Sequence, residues 1–253
     1  MKKTKTIAII LLVAITIGLT IFITLLLTGT INLNVKNSND NTFNITYKEE
    51  EYIKSTTDGI EIRNLRNIPS ISSSDRKKVA SKITKYLTDI SNKEWDNIKK
   101  TTDDVVESNV KEEDMGITLL YKESIVTSGR LSFTLEMVGN FGGVTWNNES
   151  AYNFDAKTGK ILTLKGIGKD TYDIIKKECE DYIEMTEEIN AQSFYEKEER
   201  QSLDDLLSKE ETWYFEYNQL VVVFPKYSIS NQEVKIPIAK SKINDSLYDQ
   251  YKF

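Results

Sequence analysis

Apolar and polar positions follow three rhythms along this chain. The first is continuous: residues 7–27 form an uncharged run of 21 residues, preceded by Lys2, Lys3 and Lys5. As a helix rising about 1.5 Å per residue it spans a bilayer core of about 30 Å, which predicts a transmembrane signal anchor. Three lysines with no acid among them predict a cytoplasmic tail over residues 1–6 and an extracytoplasmic remainder. A cleaved signal has a shorter apolar stretch ending in a small-residue site, and Leu25-Leu26-Leu27-Thr28-Gly29-Thr30 offers no such site. Residues 28–42, rich in Asn, Ser and Thr, predict a polar tether.

The second rhythm is alternation. Residues 43–47 and 60–65 alternate as strands do, with Asp58-Gly59 as a turn signal between them. Pro69 and the run Ser72-Ser73-Ser74 predict the end of the sheet and helix N-caps. The third rhythm follows. Val79, Ile83, Tyr86, Leu87, Ile90, Trp95 and Ile98 recur every three to four residues, predicting an amphipathic helix of about six turns. Residues 101–115 are strongly acidic and read as a fraying helix end and solvated loop; the ligand spacing of a calcium loop is missing.

Alternation returns in residues 117–126, 131–138 and 146–154. Asp155-Ala-Lys-Thr-Gly159 then predicts a type I turn with a glycine bulge, and residues 161–164 a strand pairing back. Tyr172, Ile175, Cys179, Tyr182 and Ile183 mark a second helix, with Cys179 on its buried stripe. Residues 184–211 are charged and weakly amphipathic, predicting a further helix. Residues 213–215 and 220–224 form a hairpin whose second strand, apolar throughout, is covered on both faces or central. Residues 233–238 predict a last strand and residues 239–251 a closing helix. The sum is an α+β fold of antiparallel sheets with packed helices, preceded by one N-terminal transmembrane helix. The module spans residues 43–253, with a strand and helix part over 43–115 and a C-terminal part over 116–253.

Composition narrows the chemistry. The formal charge is −6, and −9 once the three N-terminal lysines are set aside. An acidic body excludes nucleic acid as a partner and suits a basic protein. One cysteine leaves no internal disulfide, and the acids beside Cys179 argue against a reactive thiol. The absence of histidine excludes a Ser-His-Asp triad, a Cys-His pair and histidine-ligated zinc. No catalytic residue, metal ligand or cofactor is assigned. The hydrolytic scheme left open is a glycosidase working with two carboxylates, with Glu149 and Asp155 as the pair. The candidate ligand-binding residues are Gly142, Gly143, Trp146 and Tyr227, glycines beside an aromatic and a turn aromatic suited to stacking.

Four segments carry a family resemblance: the Gly142-Gly143 bend, Tyr152-Asn-Phe-Asp-Ala-Lys-Thr-Gly-Lys160 with Leu162-Thr-Leu164, Leu220-Val-Val-Val-Phe-Pro-Lys-Tyr227, and Val234-Lys-Ile-Pro237. In this order they resemble bacterial extracytoplasmic domains of unknown function. Such domains occur in the lysozyme-responsive membrane anti-sigma factor and beside the catalytic domain of some peptidoglycan deacetylases. The resemblance covers residues 43–243 and implies an α+β body that senses or binds at the cell envelope. It implies a lysozyme-like basic protein or cell-wall peptidoglycan as ligand. Where family members continue the glycine pair with Ala-His, this chain has Val144-Thr145. The anti-sigma factor's folded cytoplasmic segment and the deacetylase's catalytic domain have no counterpart here, so the extracytoplasmic module alone is expected.

Overall fold

A computed structural model describes residues 42–108, 115–141, 144–188 and 194–253. The expected anchor at 7–27, the tether up to residue 41, the acids at 109–114 and the pair Gly142 and Gly143 lie outside the described residues. Among those described, no helix is long and apolar enough to cross a membrane. The account below concerns the unit formed by residues 40–253.

Five strands make the larger sheet, in the order β1 (Asn44–Ser55), β2 (Glu61–Ser72), β3 (Gly116–Val126), β4 (Arg130–Phe141) and β5 (Val144–Asp155). β1 and β2 pair antiparallel along twelve residues each. β2 and β3 run parallel, joined through helix α1 (Lys77–Glu107), and β3, β4 and β5 form an antiparallel meander. The parallel join is narrow, with Leu65↔Thr118 and Arg66↔Leu119 in register and a further parallel bridge at Ile62↔Met115. Asparagine side chains complete it. Asn64 Oδ1 accepts the Ile117 N–H at 2.9 Å, and Asn67 donates to the Tyr121 carbonyl at 3.0 Å while accepting the Tyr121 N–H.

Pro69 does not end the sheet, as the sequence predicts, because β2 runs on to Ser72. Ile71, two residues further, turns its N–H and carbonyl to the Thr84 hydroxyl of α1 rather than to β1. The position of Pro69 that lacks an N–H therefore faces a side beyond the β3 pairing, where a strand tolerates proline. Helix α1 is longer than predicted, at 31 residues, and starts after Arg76 rather than from a serine cap. It buries Ala80, Ile83, Leu87, Ser91, Trp95, Ile98 and Thr102 against the sheet. The core beneath it contains Leu119, Tyr121, Leu131, Phe133 and Phe154.

A second layer follows β5. A bridge at Phe154↔Ile161 replaces the predicted strand at 161–164, which passes into a 3₁₀ turn at Leu164–Gly166. Helix α2 (Thr171–Glu188) buries Ile175, Cys179 and Ile183. It packs over a three-stranded sheet of β6 (Trp213–Phe215), β7 (Gln219–Phe224) and β8 (Val234–Ala239), with β7 in the middle. The unbroken apolar run of β7 is explained by cover on both sides. Leu220, Val222 and Phe224 enter the core with α2, while Val221 and Val223 meet Ala151 of β5 and Tyr214. Two predicted helices are short: only α3 (Leu203–Leu207) is helical within described residues 194–211, and only α4 (Lys240–Ile243) and a 3₁₀ turn at Asp249–Tyr251 within 239–251.

The expected division at residue 115/116 runs through the five-stranded sheet, since β2 pairs with β3 across it. The hydrophobic cores divide later, one ending near Ile161 and the other beginning at Leu162. The layers meet along β5, where the Ala151 N–H donates to the Glu211 carbonyl at 2.9 Å and the Asn153 amide donates to the Trp213 carbonyl at 2.5 Å. Arg130 makes a second junction. Its buried guanidinium stacks on Phe215 and Phe253, 4.0 and 4.7 Å from the ring centres, and donates to the carbonyls of Tyr251 and Lys252.

Candidate functional site

Of the ligand-binding candidates, Trp146 and Tyr227 are among the described residues, and they stand on different elements. Trp146 lies on β5 opposite Gly139 of β4, half-buried, with its indole over the place where a side chain at 139 would stand. Tyr227 is on the β7–β8 loop, 64% exposed, at a left-handed φ of 68°. That conformation is unfavourable for a bulky residue. It is held by a hydrogen bond from the Tyr227 N–H to the Ser230 carbonyl at 2.8 Å, and Lys226 lies over the ring.

Asp155 and Glu149 are separated by role. Asp155 Oδ1 accepts the N–H groups of Lys157 and Thr158 and the Thr158 hydroxyl, and Oδ2 accepts the Tyr251 hydroxyl at 2.7 Å. Burial pushes its pKa up, but these hydrogen bonds outweigh burial and hold it below the ordinary value. Gly159 closes the turn at a φ of 64°, a conformation that glycine adopts without strain. Asp155 is thus committed to turn and tail.

Glu149 instead meets Glu233, a residue not singled out in the sequence because a glutamate before a strand reads as surface charge. The Glu149 N–H donates to Glu233 Oε2 at 2.9 Å, and Lys235 Nζ lies 2.9 Å from Glu149 and 3.6 Å from Glu233. With side chains 12% and 9% exposed, the carboxylates leave little surface for a sugar ring. Cys179 is fully buried on α2, and burial, followed by the charges of Glu180 and Glu178, pushes its thiol up to about 12.

A cleft of about 750 Å³ lies between α2 and residues 196–204, with Ile229 of the β7–β8 loop in its lining. Lys176, Glu180, Glu184 and Glu187 line one side, at helical spacing that brings them to one face. Glu196, Lys197, Arg200 and Asp204 line the other. Some of these charges cancel locally: Lys176 is 2.7 Å from Asp204, and Arg200 pairs with Glu187. Glu180, Glu184 and Glu196 have no ion pair among the described residues, against one free ammonium on Lys197. The described lining therefore carries an excess of negative charge. The β7–β8 loop is tied to the far wall of the cleft, since the Tyr195 N–H bonds to the Ile229 carbonyl and the Gln201 N–H to the Ser228 carbonyl, both at 2.9 Å, but Tyr227 itself is not in the lining. These acids are not singled out in the sequence, and the helical spacing of those on α2 is the signal that could have found them.

Comparison with solved structures places this architecture among DUF3298 folds. A crystal structure of a DUF3298 family member from Bacteroides fragilis matches with a TM-score of 0.61 at 11% identity, covering 84% of this chain and 96% of that one. A DUF3298 family protein from Pseudomonas aeruginosa matches with a TM-score of 0.52 at 13% identity, covering 84% and 98%. At these identities the likeness is one of fold. No protein-family model and no curated protein matches the chain. The neighbours share the α+β body expected from the four sequence segments.

Proposed function

We propose that this protein is a membrane-anchored, non-catalytic module that binds a basic protein at the bacterial cell envelope, with a lysozyme-like protein as the ligand class. The observation carrying this reading is the excess of carboxylates without an ion pair in the cleft, three against one ammonium among the described residues. Opposite charges steer encounter and set specificity, and their effect weakens with salt. The anti-sigma factor and deacetylase resemblance supplies the envelope setting, and the lysine-flanked run at 7–27 supplies the anchor. Surface plasmon resonance of the full-length chain against lysozyme tests the proposal. Glu180→Lys with Glu184→Lys is expected to weaken binding by about tenfold or more and to flatten its salt dependence. Absence of binding up to about millimolar protein, the weak end of the affinity scale, overturns the reading.

Peptidoglycan is the second reading, favoured by Trp146, whose half-exposed indole lies across the β4 backbone at Gly139 as a stacking platform. Muropeptide binding that is lost in Trp146→Ala but survives the double charge reversal would select it. Release of soluble fragments from labelled peptidoglycan, abolished by Glu149→Gln, would select the carboxylate glycosidase instead.

A further inference from the structure

The carboxylates at the β5–β8 junction have a charge balance that ligand binding does not explain. Glu149 and Glu233 share one cation, Lys235, and both side chains are largely withdrawn from water. Glu149 Oε1 is buried without a hydrogen-bond partner among the described residues. The Tyr214 hydroxyl of β6 interacts with Glu149 and with Glu216 beyond it. From β4, Glu136 stands directly opposite Glu149, but its charge is answered by Lys122 of β3 at 2.7 Å. With both glutamates ionised the junction holds an excess negative charge, unfavourable away from water. One proton on Glu233 removes that excess.

We propose that Glu149 and Glu233 form a proton-binding pair at the junction of the two sheets: one held proton closes the β5–β8 seam, and its loss sets two like charges against each other and loosens it. The electrostatics agree with the geometry. Burial raises the Glu233 pKa above the ordinary glutamate value and the Glu149 charge raises it further, against the lowering by the Glu149 N–H and Lys235. A carboxyl raised on folding binds its proton more tightly in the folded chain. The stability it contributes is present below the unfolded pKa and is lost as pH rises through the folded one. Asp155 has the opposite sign: its lowered pKa contributes stability above the unfolded value that is lost on acidification.

Carbon-13 titration of the glutamate carboxyls in the full-length chain, combined with amide hydrogen exchange at Ala151, tests the proposal. The Ala151 N–H, two residues along β5 from Glu149, bonds to the Glu211 carbonyl ahead of β6 and touches neither carboxyl, so it reports whether loosening at β8 spreads along β5. Glu233 is expected to titrate clearly above about 4.3. Opening at Ala151, corrected for the intrinsic pH dependence of exchange, is expected to rise of order tenfold across that titration. In Glu233→Gln the rise is expected to vanish. The wild-type measurements stand alone if that variant fails to fold. Ordinary titration of Glu233, an Ala151 opening insensitive to its titration, or an unchanged pH course in Glu233→Gln each overturns the proposal.

Discussion

At the scale of single residues, chemistry that is local in sequence was legible and chemistry made by register was not. Asp155 and Gly159 were readable as a turn because the acceptor, its donors and the positive φ lie within five residues. Trp146 stood out as an aromatic beside glycines, but its partner is Gly139, placed opposite it only by the β4–β5 register. A methyl group at 139 would occupy the space of the indole. Gly139→Ala is accordingly expected to cost about 1–3 kcal/mol by overpacking, or to expel the indole into solvent. Urea denaturation measures the first outcome and a red shift of tryptophan emission the second. Glu233 was invisible for the same reason as Gly139, since its significance comes from β5, 84 residues away.

At the scale of elements, the periodicities located the strands of the meander and the two long helices, because each buries one face against a neighbour. They erred where a tertiary partner overrides a local signal. Pro69 reads as a strand stop, yet the side it leaves without an N–H faces away from β1. Residues 184–211 carry leucines at helical spacing, but among those described only five beyond α2 are helical, with Leu206 and Leu207 anchoring them. The parallel neighbour of β2 could not be read from either strand, since side-chain amides complete the join. Asn64 is fully buried and also donates to the Tyr52 carbonyl and Thr102 hydroxyl, tying β1, β2, β3 and α1 together. Asn64→Leu preserves approximate volume but strands the Ile117 N–H. It is expected to lower stability by about 1–3 kcal/mol in chemical denaturation and to increase hydrogen exchange at Ile117.

At the scale of the whole molecule, β5 is the shared wall. One face of its sheet completes the core under α1, while Ala151 and Asn153 look toward the second layer. The Arg130 clasp reinforces that wall. Burial draws the guanidinium down to about 10, so it remains charged at neutral pH and depends on the two carbonyls and two aromatic faces around it. Arg130→Ala removes all of these contacts together, and a loss of about 3 kcal/mol is expected in equilibrium urea denaturation.

The clasp also bears on how long the molecule stays folded. Arg130 and Tyr251 are separated by 121 positions. Closing so long a loop carries an entropic cost, and the contact is expected to form on the downhill side of the folding barrier. Interactions absent from the transition state govern the lifetime of the native state and leave the refolding rate almost untouched. In stopped-flow experiments Arg130→Ala should therefore steepen the loss through unfolding, by about a hundredfold for the expected energy, with nearly unchanged refolding. A single arginine would then set the half-life of the native state, and with it resistance to proteases that act only on opened chains.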